Sequence, residues 1–156
     1  MDIEKLLNKK KFKQIIKFYL FECPVQYSSK KKVSQIGKTF DQRGLGNKSL
    51  NTLRAAMIRV SKAQLNTIKG DPVIPDGVNE YLIVHERTDM SKINSYFYSI
   101  RNSFAHGQFE YDQQGYFIFE NHAKGKLQAI GRIHENTLLK WIDLCNMNVS
   151  ELRKVK

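Results

Sequence analysis

The sequence contains little cysteine: Cys23 and Cys145 are its only two. Neither has a second cysteine at the Cys-x-x-Cys spacing of a zinc site, and His85, His122 and His134 lie at no metal-ligand spacing. Both cysteines fall on predicted apolar helix faces, which favours buried, reduced thiols over a disulfide. We therefore expect neither a zinc site nor a disulfide framework.

Long apolar runs and acidic clusters are also missing. No stretch approaches the ~20 apolar residues of a membrane-spanning helix, and the residues after Met1 do not form a secretion signal. No group of carboxylates is dense enough to hold the two magnesium ions of a metal-dependent nuclease. Gly44 and Gly46 lack the Gly-Lys-Ser/Thr ending of a phosphate-binding P-loop. These absences predict a soluble, cytoplasmic protein that uses no membrane, metal or cofactor.

Acidic residues are few compared with basic ones, and this imbalance is the unusual feature of the composition. The chain has 26 Lys and Arg against 15 Asp and Glu, a formal net charge of +11 and a pI near 9.7. Such a surplus attracts polyanions, of which nucleic acid is the commonest, although it also fits a lysine-rich surface that serves only solubility. The candidate RNA contacts are two lysine runs: Lys9, Lys10, Lys11, Lys30, Lys31 and Lys32.

Apolar residues recur at helical spacing in four long segments. Between the first two of them, residues 28–47 are rich in lysine, serine and glycine, which predicts a flexible basic loop. A shorter helical turn is indicated near Leu6, before the first long helix. The four predicted helices run from Lys9 to Glu22, from Asn47 to Gly70, from Thr88 or Asp89 to Gly107, and from Asn136 to Cys145.

After Gly107 the apolar period changes to two. Phe109–Tyr111 and Tyr116–Phe119 flank a glycine-containing turn, which predicts a hairpin, and residues 127–133 can add a third strand. Residues 79–87 fit either a short helix or a strand. We therefore predict one mainly α domain over residues 1–156: a bundle of four to five helices with a small hairpin or three-stranded sheet, residues 108–133, inserted before the last helix.

The sequence Arg101-Asn102-Ser103-Phe104-Ala105-His106 ends the third helix, directly before Gly107. RNA carries its own nucleophile, the 2′-hydroxyl, so cleavage needs only a base, an acid for the departing 5′-oxygen and positive charge at the phosphate. Histidine suits the first two roles and arginine the third, through bidentate geometry. Structurally, the same residues also suit a plain helix end, because the macrodipole favours cations there and glycine caps the helix.

Helix geometry separates the two charged residues of this motif. Residues four apart share a face, so Asn102 and His106 can meet, whereas Arg101 lies about 140° away from His106 around the axis. Arg101 can wrap around the helix, or it can act with a second copy of the motif across a twofold axis. We expect such a homodimer, with surplus apolar surface on the same helix: Tyr96, Phe97, Ile100 and Phe104.

The segment Ile100–Phe109 resembles the signature of the HEPN superfamily, the higher-eukaryote-and-prokaryote nucleotide-binding domains. The resemblance covers the motif helix and, more loosely, the hairpin and last helix. It implies a dimeric helical bundle with metal-independent endoribonuclease activity, with Arg101 and His106 as the catalytic pair and Asn102 as their polar helper. One departure is Gln108, which stands where a toxin branch regulated by a nucleotidyltransferase antitoxin carries tyrosine.

These observations predict a metal-independent endoribonuclease that acts as a homodimer with a composite active site. The resemblance further implies a toxin or an effector of defence against phage, with an antitoxin or defence protein as partner. Two alternatives stay open: an RNA-binding HEPN-like module without catalysis, in which the same residues hold phosphate, and a partner-binding component of a defence system.

Overall fold

The computed structural model describes residues 2–23, 55–74 and 76–147. Within those residues it contains five α-helices and one five-stranded sheet. The helices are α1 (Ile3–Leu7), α2 (Lys10–Lys17), α3 (Lys62–Ile68), α4 (Lys92–Ala105) and α5 (Glu135–Asn146), and the strands are β1 (Ala55–Val60), β2 (Glu80–His85), β3 (Phe109–Tyr111), β4 (Tyr116–Ala123) and β5 (Lys126–His134).

The prediction of a mainly α bundle is wrong, because this is an α/β fold built on a mixed sheet. The strand order is β1-β2-β5-β4-β3, with β1 and β2 parallel and the other neighbours antiparallel. The predicted insertion is therefore the larger part of the sheet, and its last strand, β5, occupies the centre beside β2. A hairpin predicted from local alternation gives no sign of the distant strand that β5 pairs with.

The predicted helix from Asn47 to Gly70 is the clearest error. Its described part divides into strand β1 and helix α3, and its first residues lie outside the described ranges. Ser61 starts α3 through a capping box: its hydroxyl accepts from the Gln64 amide at 3.2 Å, and the Gln64 side chain accepts from the Ser61 amide at 3.0 Å. Apolar residues on the two sides of this break share a helical spacing by coincidence.

The burial of strand β2 explains why the apolar pattern of residues 79–87 fits both a helix and a strand. Its last four residues are buried, because β2 pairs on both edges and both faces of the sheet are covered near it. Leu82 and Val84 belong to the core on one face, and Ile83 belongs to the core on the other. A strand buried on both faces loses the polar alternation that distinguishes a strand from a helix.

Several predicted elements are confirmed. Helix α4 begins after a Ser91 cap and α5 follows His134, each within a few residues of its predicted start. The first long helix is α2, which continues as a π-helical turn over Phe18–Glu22. The hairpin β3–β4 is present, and β5 is the third strand. The predicted basic loop at 28–47 lies outside the described residues.

Two apolar cores cover the two faces of the sheet. Helices α2, α4 and α5 lie on the first face around Tyr19 and Trp141, and α3 lies on the second face, where Leu65 meets Ile83 and Ile130. The α4 residues that were expected to supply dimer surface are instead fully used in the first core: Tyr96, Phe97, Ile100 and Phe104 are between 0 and 5 % exposed. Apolar surplus on α4 therefore gives no support to a dimer.

Candidate active site

The motif occupies the end of α4, where the chain forms a Schellman cap. The amide of Gly107 donates to the Phe104 carbonyl at 3.3 Å, and the amide of Gln108 donates to the Ser103 carbonyl at 2.8 Å. Gly107 has φ +64°, the left-handed conformation that the cap requires. His106 is the C-cap residue, directly after the last helical residue Ala105, and its side chain is exposed.

Phe104 fixes the motif to the hairpin. Its ring centre lies 5.0 Å from that of Phe109 and 5.4 Å from those of Phe117 and Phe119, each in an edge-to-face arrangement. Aromatic pairs of this geometry contribute about 0.5–1.5 kcal/mol each beyond the burial of apolar area. The orientation of the motif is therefore set by a rigid aromatic cluster rather than by a loop.

Asn102 connects the two charged residues of the motif. A guanidinium nitrogen of Arg101 donates to Asn102 Oδ1 at 3.0 Å, and the Asn102 carbonyl accepts from the His106 amide at 3.0 Å. Arg101 Nε is buried without a hydrogen-bond partner among the described residues. Within the described residues, Arg101 and His106 form no hydrogen bond with each other.

Asn102 and His106 line a narrow cleft of about 90 Å³ between α4, the end of β2 and the β4–β5 hairpin. Arg101 does not line it. A volume of this size accommodates a small group such as a phosphate. The remaining lining residues are Val84, His85, Arg87, Ser95, Tyr98, Ser99, Asn121, His122, Ala123 and Gln128.

Three of the four histidines of the chain meet in this cleft: His85, His106 and His122. They come from the end of β2, the end of α4 and strand β4, and no two of them are close in the sequence. Within the described residues, no three histidine, cysteine or acidic side chains are grouped closely enough to hold a metal ion. Three imidazoles therefore line the cleft, but they do not form a metal-binding cluster.

A β-bulge brings His122 into the cleft. The pairing of β4 with β5 shifts register between Asn121 and His122, and both of these consecutive residues line the cleft. Gln108 supports the bulge, because its side-chain oxygen accepts from the His122 amide at 2.8 Å. Position 108, where the resemblance would allow tyrosine, thus joins the motif to the strand that carries the next histidine.

His85 is held in one tautomer. Its Nδ1 lies 2.8 Å from the carbonyl oxygen of Glu86, which can only accept, so Nδ1 carries a proton and donates. In the neutral ring Nε2 then keeps its lone pair. The side chain is buried, 7 % exposed, which restricts its motion. An imidazole held in this way can take up a proton at Nε2.

Arg87 supplies a cation to the cleft wall. Its guanidinium donates twice to Asp89, at 2.9 and 2.6 Å, and lies 5.2 Å from the centre of the Tyr98 ring. The hydrogen bond from Arg87 lowers the pKa of the Asp89 carboxyl, and the same bond raises the pKa of Arg87. The pairing with Asp89 fixes the position of this arginine and offsets part of its charge.

The predicted lysine contacts do not lie at the cleft. Lys9 Nζ is 5.0 Å from the Tyr111 ring centre, and Lys11 Nζ is 2.9 Å from Asn136 Oδ1, beyond the Tyr116 end of β4. The cleft lies at the other end of that strand, seven residues or about 23 Å away at ~3.3 Å per residue. Lys10 is exposed on α2 beside them, and Lys30, Lys31 and Lys32 lie outside the described residues.

Sequence reasoning missed His85, Arg87 and His122. Their spacing fits no motif, because strand pairing and a bulge bring them together, and neither feature has a local signature at these positions.

Both cysteines are buried thiols, as predicted. Among the described residues, no helix combines the length and apolarity needed to cross a membrane.

A family model for HEPN domains, described as HEPN pEK499 p136, matches residues 4–144. That range covers most of the 156 residues and includes α4, the hairpin and every residue of the cleft. No curated protein and no solved structure matches the chain. The chain therefore belongs to the HEPN superfamily, in its pEK499 p136 family.

Proposed function

We propose that this HEPN protein is a metal-independent endoribonuclease whose active site is the cleft at the end of α4. Membership of the HEPN superfamily supports an RNA-related function in general. The observation that carries the specific proposal is that His106 and Asn102 of the motif line a small cleft that is also lined by two further histidines, His85 and His122.

The proposed reaction is an internal transesterification. A base removes the proton of the ribose 2′-hydroxyl, and the 2′-oxygen attacks the adjacent phosphorus. The bond from phosphorus to the 5′-oxygen breaks, and an acid protonates that oxygen as it leaves. The products are a 2′,3′-cyclic phosphate and a 5′-hydroxyl. This step uses no external water, because the nucleophile is part of the RNA.

His106 and His85 divide the two proton transfers in this proposal. One imidazole cannot act as base and acid at the same instant, and the cleft of a single chain contains both. The free Nε2 of His85 suits it to be the base, which leaves protonation of the departing oxygen to His106. Asn102 positions Arg101 in this proposal, since its side-chain oxygen accepts from the guanidinium.

Arg101 serves the phosphate from across a twofold axis in this proposal. In its own chain its guanidinium donates to Asn102 Oδ1 and does not line the cleft. A second copy with its motif facing the first would add its Arg101 to the cleft and provide bidentate contacts to the phosphorane-like transition state. The proposed active site is composite in this sense, with the histidines from one chain and the guanidinium from the other.

An RNA cleavage assay in excess EDTA tests this proposal. Wild-type protein is expected to cleave single-stranded RNA, and His106→Ala to lose about 10²–10⁴-fold in rate while its thermal unfolding is unchanged. His85→Ala is expected to lose a similar factor and to recover part of it with added imidazole. Arg101→Lys should be nearly as inactive as Arg101→Ala, because the bidentate geometry is lost.

Two results would contradict the proposal. RNA that is bound but left intact by the wild type would indicate the non-catalytic binding module. Cleavage by His106→Ala at the wild-type rate would mean that the motif serves only as a helix end.

We further propose a biological role as a toxin or phage-defence effector that is restrained by an antitoxin or defence partner. This role rests on family likeness, and Gln108 in place of tyrosine argues against control by modification of that position. Expression in bacteria tests it: the wild type should arrest growth and His106→Ala should not. Equal growth with both would contradict the role without touching the cleavage chemistry.

A further inference from the structure

A second depression, the lysine groove, adjoins the cleft on the α3 side of the sheet. Its volume is about 420 Å³, and its lining residues are Lys62, Asn66, Lys69, His122, Gly125, Lys126 and Leu127. His122 lines both the groove and the cleft, so the two adjoin at this residue, next to the β-bulge. The groove residues are unrelated to the lysine runs that the sequence singles out.

Helix α3 presents one polar stripe to the groove. Lys62, Asn66 and Lys69 lie at i, i+4 and i+7, on one face of the helix, and span about 10 Å along its axis at ~1.5 Å per residue. The side of α3 that meets the sheet is apolar, with Leu65 fully buried and Ile68 packed against the same core. The stripe is therefore held at a fixed place by the packing of the opposite side.

The groove is strongly basic. Three lysines and one histidine line it, and among the described residues the one carboxylate paired with them is that of Glu120, which also lies 3.5 Å from His122 Nε2. Lys69 pairs with Glu120 at 2.6 Å, but both side chains are about half exposed, so the pair is weak and can exchange for another anion. Lys62 and Lys126 form no ion pair within the described residues. Asn66 adds a hydrogen-bonding amide between the charges.

We propose that this groove binds the sugar–phosphate backbone of the RNA strand next to the scissile phosphate. The inference rests on the proposed function for the identity of the ligand. Several lysines along one groove suit a chain of phosphates, which they contact as point charges without reading bases. A strand that leaves the cleft beside His122 enters the groove directly and meets Lys126 and the α3 stripe.

The test measures binding separately from cleavage. The probe is a single-stranded oligonucleotide with 2′-O-methyl riboses, which lack the nucleophile and cannot be cut. The groove variant is the double substitution Lys62→Gln and Lys126→Gln. Its matched control is Lys13→Gln and Lys140→Gln, which removes the same charge from exposed positions on α2 and α5, on the opposite face of the sheet. Thermal unfolding checks that both variants are folded.

The groove variant is expected to bind more weakly and to reduce the slope of log Kd against log salt by about 1.4, because each phosphate that a lysine neutralises on a single strand accounts for ~0.7 of that slope. The control is expected to keep the wild-type slope. Equal changes in the two variants, or no change in either, would overturn the groove. If the wild type fails to cleave unblocked RNA but the groove dependence of binding holds, the proposed function fails and the groove stands.

Discussion

At the scale of single residues, Gly107 determines where His106 is presented. The Schellman cap needs φ +64° at this position, and a Cβ built there meets no atom within 4 Å. Substitution therefore brings backbone strain without a clash. The cap also directs Gln108 to the bulge that carries His122, so one backbone conformation joins two parts of the cleft.

Gly107→Ala is expected to lower the free energy of unfolding by about 1–2 kcal/mol, the cost of a left-handed conformation for an L-residue. Urea unfolding measures it. Gly70→Ala is the matched control, because that exposed glycine also has open space around it but no positive φ. Equal stabilities for the two variants would show that the cap is not strained by a side chain.

Asp89 gives a pH-dependent prediction. Its pKa is lowered in the folded state by the hydrogen bond from Arg87, so the pair stabilises the fold above the unfolded pKa of the carboxyl and loses that effect as the pH falls through the lowered value. Asp89→Asn should cost about 0.5–1 kcal/mol at neutral pH, because the carboxylate is half exposed. Unfolding curves measured at two pH values check this. The Asp89→Asn variant should be less stable than the wild type at neutral pH and equally stable at strongly acid pH.

At the scale of elements, the break between β1 and α3 shows what the sequence could and could not reveal. Helical spacing continues across Ser61, but the capping box formed by Ser61 and Gln64 is a local signal that a helix begins there. The strand before it has no comparable signal, because its pairing partner β2 is twenty-five residues further along in register, Ala55 with Glu80. Local patterns specify where helices begin, and long-range pairing specifies which segments join a sheet.

Ser61→Ala tests whether α3 begins at this capping box. Loss of the cap should cost about 1 kcal/mol of stability, since the first amides of α3 lose a partner. Thr67→Ala, an exposed position in the same helix, should cost less or even stabilise, because alanine is the better helix former. A Ser61→Ala variant as stable as the wild type would contradict a helix start at this residue.

The cleft itself was only partly predictable. Arg101, Asn102, His106 and the cap at Gly107 follow from four-residue spacing and glycine chemistry, and the structure keeps that local geometry. His85 and His122 could not be found in this way, because each joins the cleft through the sheet. A composite site is predicted from the sequence because the motif contains only one histidine. In the structure His85 lines the same cleft as His106, so one chain already provides a second imidazole.

At the scale of the whole molecule, the position of Arg101 is the remaining reason to expect a dimer. The aromatic residues of α4 are buried in the core, but the guanidinium of Arg101 does not line the cleft of its own chain. The proposed composite site therefore predicts complementation between inactive chains. A site complete within one chain predicts none.

Mixing Arg101→Ala with His106→Ala chains should restore about a quarter of the wild-type rate, since half of the dimers are mixed and each has one complete site. Each variant alone should be inactive. Light scattering on the same samples should show a dimer. No recovery on mixing, or a strict monomer that cleaves RNA, would contradict the shared site.

The chemical ends of the RNA fragments, determined after cleavage in excess EDTA, test the proposed mechanism most directly. Attack by the 2′-hydroxyl predicts a 2′,3′-cyclic phosphate on one fragment and a 5′-hydroxyl on the other, with no cleavage at a site whose 2′-hydroxyl is replaced by hydrogen. A 5′-phosphate, or cleavage at that 2′-deoxy site, would contradict transesterification at the α4 cleft.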